Sequence, residues 1–279
     1  MNYGFIGGYG RSGTTVAMLA LSKSQEVFPL METQLFNEVV FPYLDGNNIE
    51  GFRQRYRRFV SVSADMEFGG KKSKKNPPSV TAYFSKNEQA VLSMLSASGP
   101  CDLDVNLKVR KVIDLIFGVQ AHAAGKNICL EKSPRIITVA GRVVKALPEA
   151  KFIHMHRDPK DVYCSVRSKF WGPKNVPQFV KSYQDVMEKA YREMRGVPDD
   201  QYMTVQLEDL VREPEACIRA MVTFLDMGDD FIDEAVALVQ AGDAHIGRWS
   251  REMMLTEAHE VFDVCEPIYE KWKEMNWRI

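Results

Sequence analysis

The sequence predicts an α/β fold in which a central parallel sheet is flanked by helices on both faces. Three observations carry this. Short apolar runs alternate with segments of helical period, two of those runs lead directly into helix-start signals, and the 279 residues carry 45% apolar and 26% charged residues, the composition of a globular chain with one substantial core. A single domain spanning 1–279 is the expectation at this length, with an inserted, helical region at about 45–125.

Taken in order, Tyr3–Ile6 runs into Gly7-Gly8-Tyr9-Gly10-Arg11-Ser12-Gly13-Thr14-Thr15 and then the apolar Val16–Leu21, which reads as strand, glycine-rich loop and helix. From Gln25 to about Gly125 the pattern is irregular and rich in aromatics, and the run Lys71–Pro78 reads as a solvated loop. Order returns with a strand at Asn127–Leu130, followed by Glu131-Lys132-Ser133-Pro134, and a second at Lys151–His156, followed by Arg157-Asp158-Pro159. Asp158 is a good N-cap and Pro159 suits the first helical position. A further strand is expected at Tyr202–Leu207. After it comes a helix opened by Pro214, with Ile218, Met221, Val222 and Leu225 on one stripe. Helices are also predicted at Gln178–Met194 and Glu257–Trp272, each with a regular apolar stripe.

Charge and cysteine usage narrow the function classes. Thirty-six Lys+Arg against 37 Asp+Glu give a net charge of −1, so no overall field draws the chain to nucleic acid or a membrane, and any anion must be held locally. The five cysteines (Cys101, Cys129, Cys164, Cys217, Cys265) form neither a C-x-x-C pair nor a zinc spacing and read as reduced thiols. With no secretory signal and no run of roughly 18 apolar residues, a cytoplasmic protein without a membrane span is the expectation.

The glycine-rich loop is the strongest chemical signal. A strand that enters such a loop at a helix N-terminus aims unpaired N–H groups and the positive helix end at one spot, an anion site. Gly8 to Gly13 has the spacing of the nucleotide-triphosphate loop, but Thr14 stands where that loop has its lysine, and the cation has moved to Arg11. The layout is P-loop-like, and a phosphate-like group is the expected ligand.

Arg157, at a strand end beside the next helix N-terminus, taken alone reads as structural, paired with a carboxylate such as Asp161. In combination, Gly8-Tyr-Gly-Arg-Ser-Gly-Thr-Thr15, Glu131-Lys-Ser-Pro134 and Arg157-Asp-Pro-Lys-Asp-Val162 before Ser165 resemble the sulfotransferases that use 3′-phosphoadenosine 5′-phosphosulfate (PAPS). Leu207-Glu-Asp-Leu210 with Pro214, Phe224-Leu225 and Ile246-Gly-Arg-Trp249 extend the resemblance, which covers Gly4 to about Trp272 except for about 45–125. Arg11 is similar to the arginine form of that loop in tyrosylprotein sulfotransferases.

The resemblance implies PAPS as sulfuryl donor and adenosine 3′,5′-bisphosphate (PAP) as product, with no metal required. By carry-over, Gly10, Arg11, Ser12, Gly13, Thr14 and Thr15 cradle the 5′-phosphosulfate, Arg157 and Ser165 grip the 3′-phosphate, and Arg248 makes a late contact to the same end. Lys132 is placed near the bridging oxygen, and Glu32, in Pro29-Leu-Met-Glu-Thr33, resembles the catalytic base of the tyrosylprotein and some carbohydrate enzymes. The catalytic set implied is therefore Glu32, Lys132 and Arg11. Because cytosolic relatives use a histidine base, His122 stays open as an alternative, while His154 and His156 read as core or cofactor-adjacent.

The acceptor is expected to bear a hydroxyl on a glycan, small molecule or peptide tyrosine, and the unmatched 45–125 region faces it. Arg53, Arg55, Arg57 and Arg58, interleaved with Phe52, Tyr56 and Phe59, read either as a solvated helix face or as a receiver for an anionic acceptor. Two other function classes compete. A magnesium-dependent P-loop kinase or nucleotide hydrolase is opposed by the missing loop lysine, and a nucleotide-binding regulatory module would bind PAP without turnover.

Overall fold

The computed structural model describes residues 1–46, 48–61, 65–68, 71–74, 78–96, 103–241 and 245–275. Seven strands occur among them: β1 (Asn2–Gly8), β2 (Val27–Met31), β3 (Asp65–Phe68), β4 (Lys71–Lys74), β5 (Ile128–Lys132), β6 (Lys151–His156) and β7 (Tyr202–Gln206). Five of them form one parallel sheet in the order β2-β5-β1-β6-β7, and β3 pairs with β4 as a separate antiparallel hairpin. The loops that follow β1, β5 and β6 all leave the same carboxyl edge, where open parallel sheets bind their ligands.

Both faces of the sheet are covered, which explains why its strands read as apolar runs rather than alternating ones. Toward one face Ile6, Leu130, Ile153, Met155, Met203 and Val205 pack against helices Thr14–Leu21, Pro214–Phe224 and Ile232–Ala241. Toward the other, Tyr3, Phe5, Cys129, Phe152 and Tyr202 join a larger core with helices Val176–Met194 and Leu255–Glu274. The expected stripe Ile218, Met221, Val222 and Leu225 is buried, and Asp158 caps its helix by accepting from Lys160 N–H at 2.8 Å.

The described helices between 35 and 123 share that larger core. Phe36 packs edge-on against Phe5 of β1 at 5.7 Å, and Phe52, Tyr56, Phe59, Phe84 and Phe117 continue the aromatic cluster outward.

The structure departs from the sequence reading in several places. β2 lies inside the stretch that shows no pattern. Pro29 sits within it, tolerated because β2 is the edge strand of the sheet, where a proline nitrogen can face away from the neighbouring strand. β5 runs two residues past Leu130 to take in Glu131 and Lys132, both buried. The strand at Tyr202 stops at Gln206, and Leu207 already opens the helix Leu207–Arg212. Lys71–Lys74 is a strand of the hairpin rather than a loop, while 75–77 and Cys101 lie outside the described residues. The other four cysteines are free and buried.

Candidate active site at the carboxyl edge of the sheet

The glycine loop is shaped by close approaches as well as by conformation. A Cβ on Gly8 would lie 2.3 Å from the Met155 carbonyl of β6, and Gly13, the N-cap of Thr14–Leu21, has φ 90° with Leu207 packed against it. No acidic residue stands in the first turn of that helix and no side chain caps it, so its N-terminal N–H groups and positive end face the loop. Ser12 and Thr14 are buried and line the turn.

Arg11, at φ 74°, ties this loop to the next sheet connection. Its Nε donates to Ser165 Oγ at 3.0 Å, and its carbonyl accepts from the Arg157 guanidinium at 3.1 Å. Arg157 is buried, donates to the His245 carbonyl at 3.1 Å and lies 3.7 Å from Asp161. Asp161 in turn accepts from Gly247 N–H at 2.7 Å and Trp249 N–H at 3.0 Å, anchoring the segment that carries Arg248. Arg248 itself pairs with Glu252 through two hydrogen bonds of 2.9 and 3.0 Å.

The three arginines repel one another. Arg11 keeps contact with solvent but is crowded; burial first, and then Arg248, hold its guanidinium below its ordinary range, with Glu32 opposing. Burial likewise lowers Arg157, partly offset by Asp161 and Glu208 and reinforced by Arg248 and Arg11. Clustered, partly desolvated guanidinium groups beside an open helix N-terminus are stabilised by an anion with several acceptor oxygens.

The second half of the site lies one and two strands away. Lys132 is 1% exposed, and its Nζ donates to Glu32 Oε1 at 2.7 Å, while the Glu32 carboxylate remains 29% exposed. Lys132 stands beside Ile6 in register and beside Met31 on its other side, so the pair sits next to the loop that begins at Gly8. Glu32 and Gln34 both have positive φ, 51° and 55°, a strained arrangement for non-glycine residues of the kind found at functional sites.

The structure also places three groups that the sequence left open. His122 is exposed on the helix Val119–Ala123, ahead of β5, at the amino edge of the sheet and a whole strand length from Lys132. His154 and His156 are buried and pack on Trp272 and Tyr269 with ring centroids at 3.9 and 4.3 Å. They are core residues rather than ligands of the loop. In the arginine-rich helix Ile49–Ser61, Phe52, Tyr56 and Phe59 are buried whereas Arg53, Arg57 and Arg58 are exposed, which places these guanidinium groups on the outer face of an amphipathic helix, where both solvent and an anionic acceptor could reach them.

The description of the sulfotransferase family matches residues 5–230 of the chain, a span that contains the glycine loop, Glu32, Lys132, Arg157 and Ser165. The chain belongs to the sulfotransferase family. A protein-tyrosine sulfotransferase of Drosophila melanogaster is 27% identical over 101 residues, covering 34% of this chain and 20% of the fly protein. Solved sulfotransferases share the fold at low identity. The sulfotransferase domain of the Synechococcus PCC 7002 olefin synthase is 17% identical with a TM-score of 0.53, covering 95% of this chain and 94% of that domain. A sulfotransferase from Alicyclobacillus acidocaldarius is 16% identical with a TM-score of 0.53 over 98% and 94% of the two chains. Mouse sulfotransferase SULT7A1, solved in complex with PAP, is 8% identical with a TM-score of 0.50 over 98% and 88%. Family membership does not favour the kinase alternative.

Within this sulfotransferase, sequence reasoning overlooked Glu131, Thr33 and Ser133, which are buried beside the Glu32–Lys132 pair. The available signal was a charged doublet closing an apolar strand, since a carboxylate in that position is either paired or functional. No helix among the described residues is long and apolar enough to cross a membrane.

Proposed function

We propose that the chain transfers a sulfuryl group from PAPS to an acceptor hydroxyl by in-line displacement. The observation that carries this reading is the Glu32–Lys132 pair, held beside a loop whose cation, Arg11, is itself linked to Ser165 and Arg157. A cation cluster for the nucleotide end and a carboxylate–ammonium pair at the transfer point are what the chemistry requires.

The residues present fit PAPS. The uncapped helix end, the buried hydroxyls of Ser12 and Thr14, and the depressed Arg11 and Arg157 all favour a multiply charged anion. In this reading Gly10, Arg11, Ser12, Gly13, Thr14 and Thr15 hold the 5′-phosphosulfate, and Arg157 and Ser165 hold the 3′-phosphate. Arg248 assists at that same end once released from Glu252. Lys132 stabilises charge on the phosphate oxygen that leaves as the sulfur–oxygen bond of the donor breaks. Glu32, ionised and partly open to solvent, takes the acceptor hydroxyl proton as the new sulfur–oxygen bond forms. With arginines and Lys132 supplying positive charge, the proposed transfer is metal-independent.

The chain forms one sulfotransferase domain in which the helical region at about 45–125 faces the acceptor. The exposed Arg53, Arg57 and Arg58 support an anionic acceptor. Charge reversal at Arg57 and Arg58 is expected to raise the acceptor KM without altering bisphosphate affinity, and an unchanged KM would remove that part of the proposal. Free, buried thiols at Cys129, Cys164, Cys217 and Cys265 support a cytoplasmic setting.

The test is calorimetric titration with PAP in the absence of magnesium, with ATP with and without magnesium as comparators. Magnesium-independent binding of PAP, weakened in Arg157→Ala, is the expected result. Binding of ATP only with magnesium, and none of PAP, would overturn the proposal.

A further inference from the structure

The segment that carries Glu32 is held by three consecutive backbone N–H groups, and all three are received by one tripeptide. Glu32 N–H donates to the Lys132 carbonyl, Thr33 N–H to Glu131 Oε1 at 3.2 Å, and Gln34 N–H to Ser133 Oγ at 3.1 Å. Thr33 Oγ1 and Ser133 Oγ also donate to Glu131 Oε1, at 2.9 and 2.6 Å. One buried carboxylate oxygen therefore gathers three donors, two from the segment and one from the residue that follows its own strand.

This clamp bears on a strained stretch. Glu32 and Gln34 are both left-handed, and such conformations persist where surrounding contacts over-determine them. Thr33 lies between the two and is anchored to Glu131 through both its N–H and its hydroxyl. Glu131 is 1% exposed, and its second oxygen, Oε2, has no hydrogen-bond partner among the described residues. A carboxyl buried at this cost is not explained by packing, because an apolar side chain would fill the space without leaving an unsatisfied oxygen.

We propose that Glu131 is a positioning residue for sulfuryl transfer, holding the Glu32 carboxylate in register with Lys132 through Thr33 and Ser133. The inference rests on the reading of Glu32 as the base. Glu131 acts from behind the strand and holds the loop that carries the base rather than touching the donor.

Two readouts test it: amide hydrogen exchange at residues 32–34, and turnover of PAPS to PAP with water as the acceptor. Glu131→Leu is expected to accelerate exchange at 32–34 while leaving Leu130 and Ile153 protected, and to lower turnover by about 100-fold, the scale of a small misplacement of a catalytic group, with PAP affinity unchanged. Glu131→Gln retains an oxygen for the three donors and is expected to restore protection and most of the turnover. Thr33→Val, which keeps the volume and removes one donor, is expected to lower turnover by about tenfold.

Exchange at 32–34 that rises no more than in the rest of the sheet would overturn the proposal, and so would wild-type turnover in Glu131→Leu when Glu32→Gln abolishes it. Wild-type turnover in Glu32→Gln would instead remove the base assignment. The exchange result separates the two failures, since it reads the clamp without reference to the chemistry.

Discussion

Arg11 Nε donates to Ser165 Oγ across 154 residues of sequence, at 3.0 Å, and closes the glycine loop onto the helix that follows β6. Because Arg157 also donates to the Arg11 carbonyl, the loop is preset by the residues that are proposed to share its ligand. Ser165→Ala removes one hydrogen bond of this set. It is expected to weaken PAP binding by about tenfold, the scale of one charge-assisted bond, with little change in Tm. Calorimetry against the wild type measures it, and unchanged affinity would place Ser165 outside the nucleotide end.

Glu32→Gln keeps an oxygen for Lys132 Nζ but cannot take a proton. Turnover is expected to fall by roughly 100- to 10,000-fold, the range of general base catalysis, while PAP binding is retained. Lys132→Met is expected to lose turnover as well, without the buried unpaired charge that removing only its partner would leave.

The loop glycines are constrained by space as much as by conformation. Gly8→Ala places a Cβ 2.3 Å from a β6 carbonyl, and Gly13→Ala combines φ 90° with a Leu207 contact at 2.7 Å. Each is expected to cost roughly 1–3 kcal/mol of stability and to lose PAP binding. Urea unfolding with a parallel binding measurement separates the two effects.

Two buried groups set opposing pH dependences. Burial raises the Glu131 carboxyl from 4.5 to about 7, against the donors from Ser133 and Thr33 and the charge of Lys132. The folded state therefore binds more protons than the unfolded state between those values, so this group's contribution falls as pH rises from 4.5 to 7, by about 3 kcal/mol. Relative to wild type, Glu131→Gln is expected to lack that fall in denaturant unfolding measured across the interval.

His154 behaves in the opposite sense. Burial, and then His156, hold it well below its ordinary value of 6.5, and neither ring nitrogen has a hydrogen-bond partner among the described residues. The unfolded state then binds the extra proton, so the wild type loses stability as pH falls below 6.5. His154→Phe, set against the Trp272 ring, is expected to remove that acid sensitivity. If the variant kept it, the neutral buried state of His154 would be refuted.

Much of the fold was legible because its signals are local. The glycine loop, the Asp158–Pro159 helix start and the stripe from Ile218 to Leu225 each lie within about ten residues, and hydrophobic period and capping chemistry report on that scale. β2 was not legible, since Pro29 argues against a strand until the strand is known to be at an edge. The His154–His156 pair was ambiguous, because alternation places two rings on one face without saying what covers it. The C-terminal helix, with Trp272 and Tyr269, supplies that answer.

By itself the sequence determined the alternation of strand and helix, the presence of an anion loop with arginine in place of lysine, and the residues that mark the sulfotransferase family. The tertiary structure alone decided which of these meet. Glu32 reaches Lys132 across 100 residues of chain, Glu131 receives Thr33 from 98 residues away, and Arg11 reaches Ser165 only because β1 and β6 are neighbours in the sheet. Hydrogen bonds depend on distance and direction in space, and strand order, which no local pattern encodes, converts those sequence separations into contacts of about 3 Å.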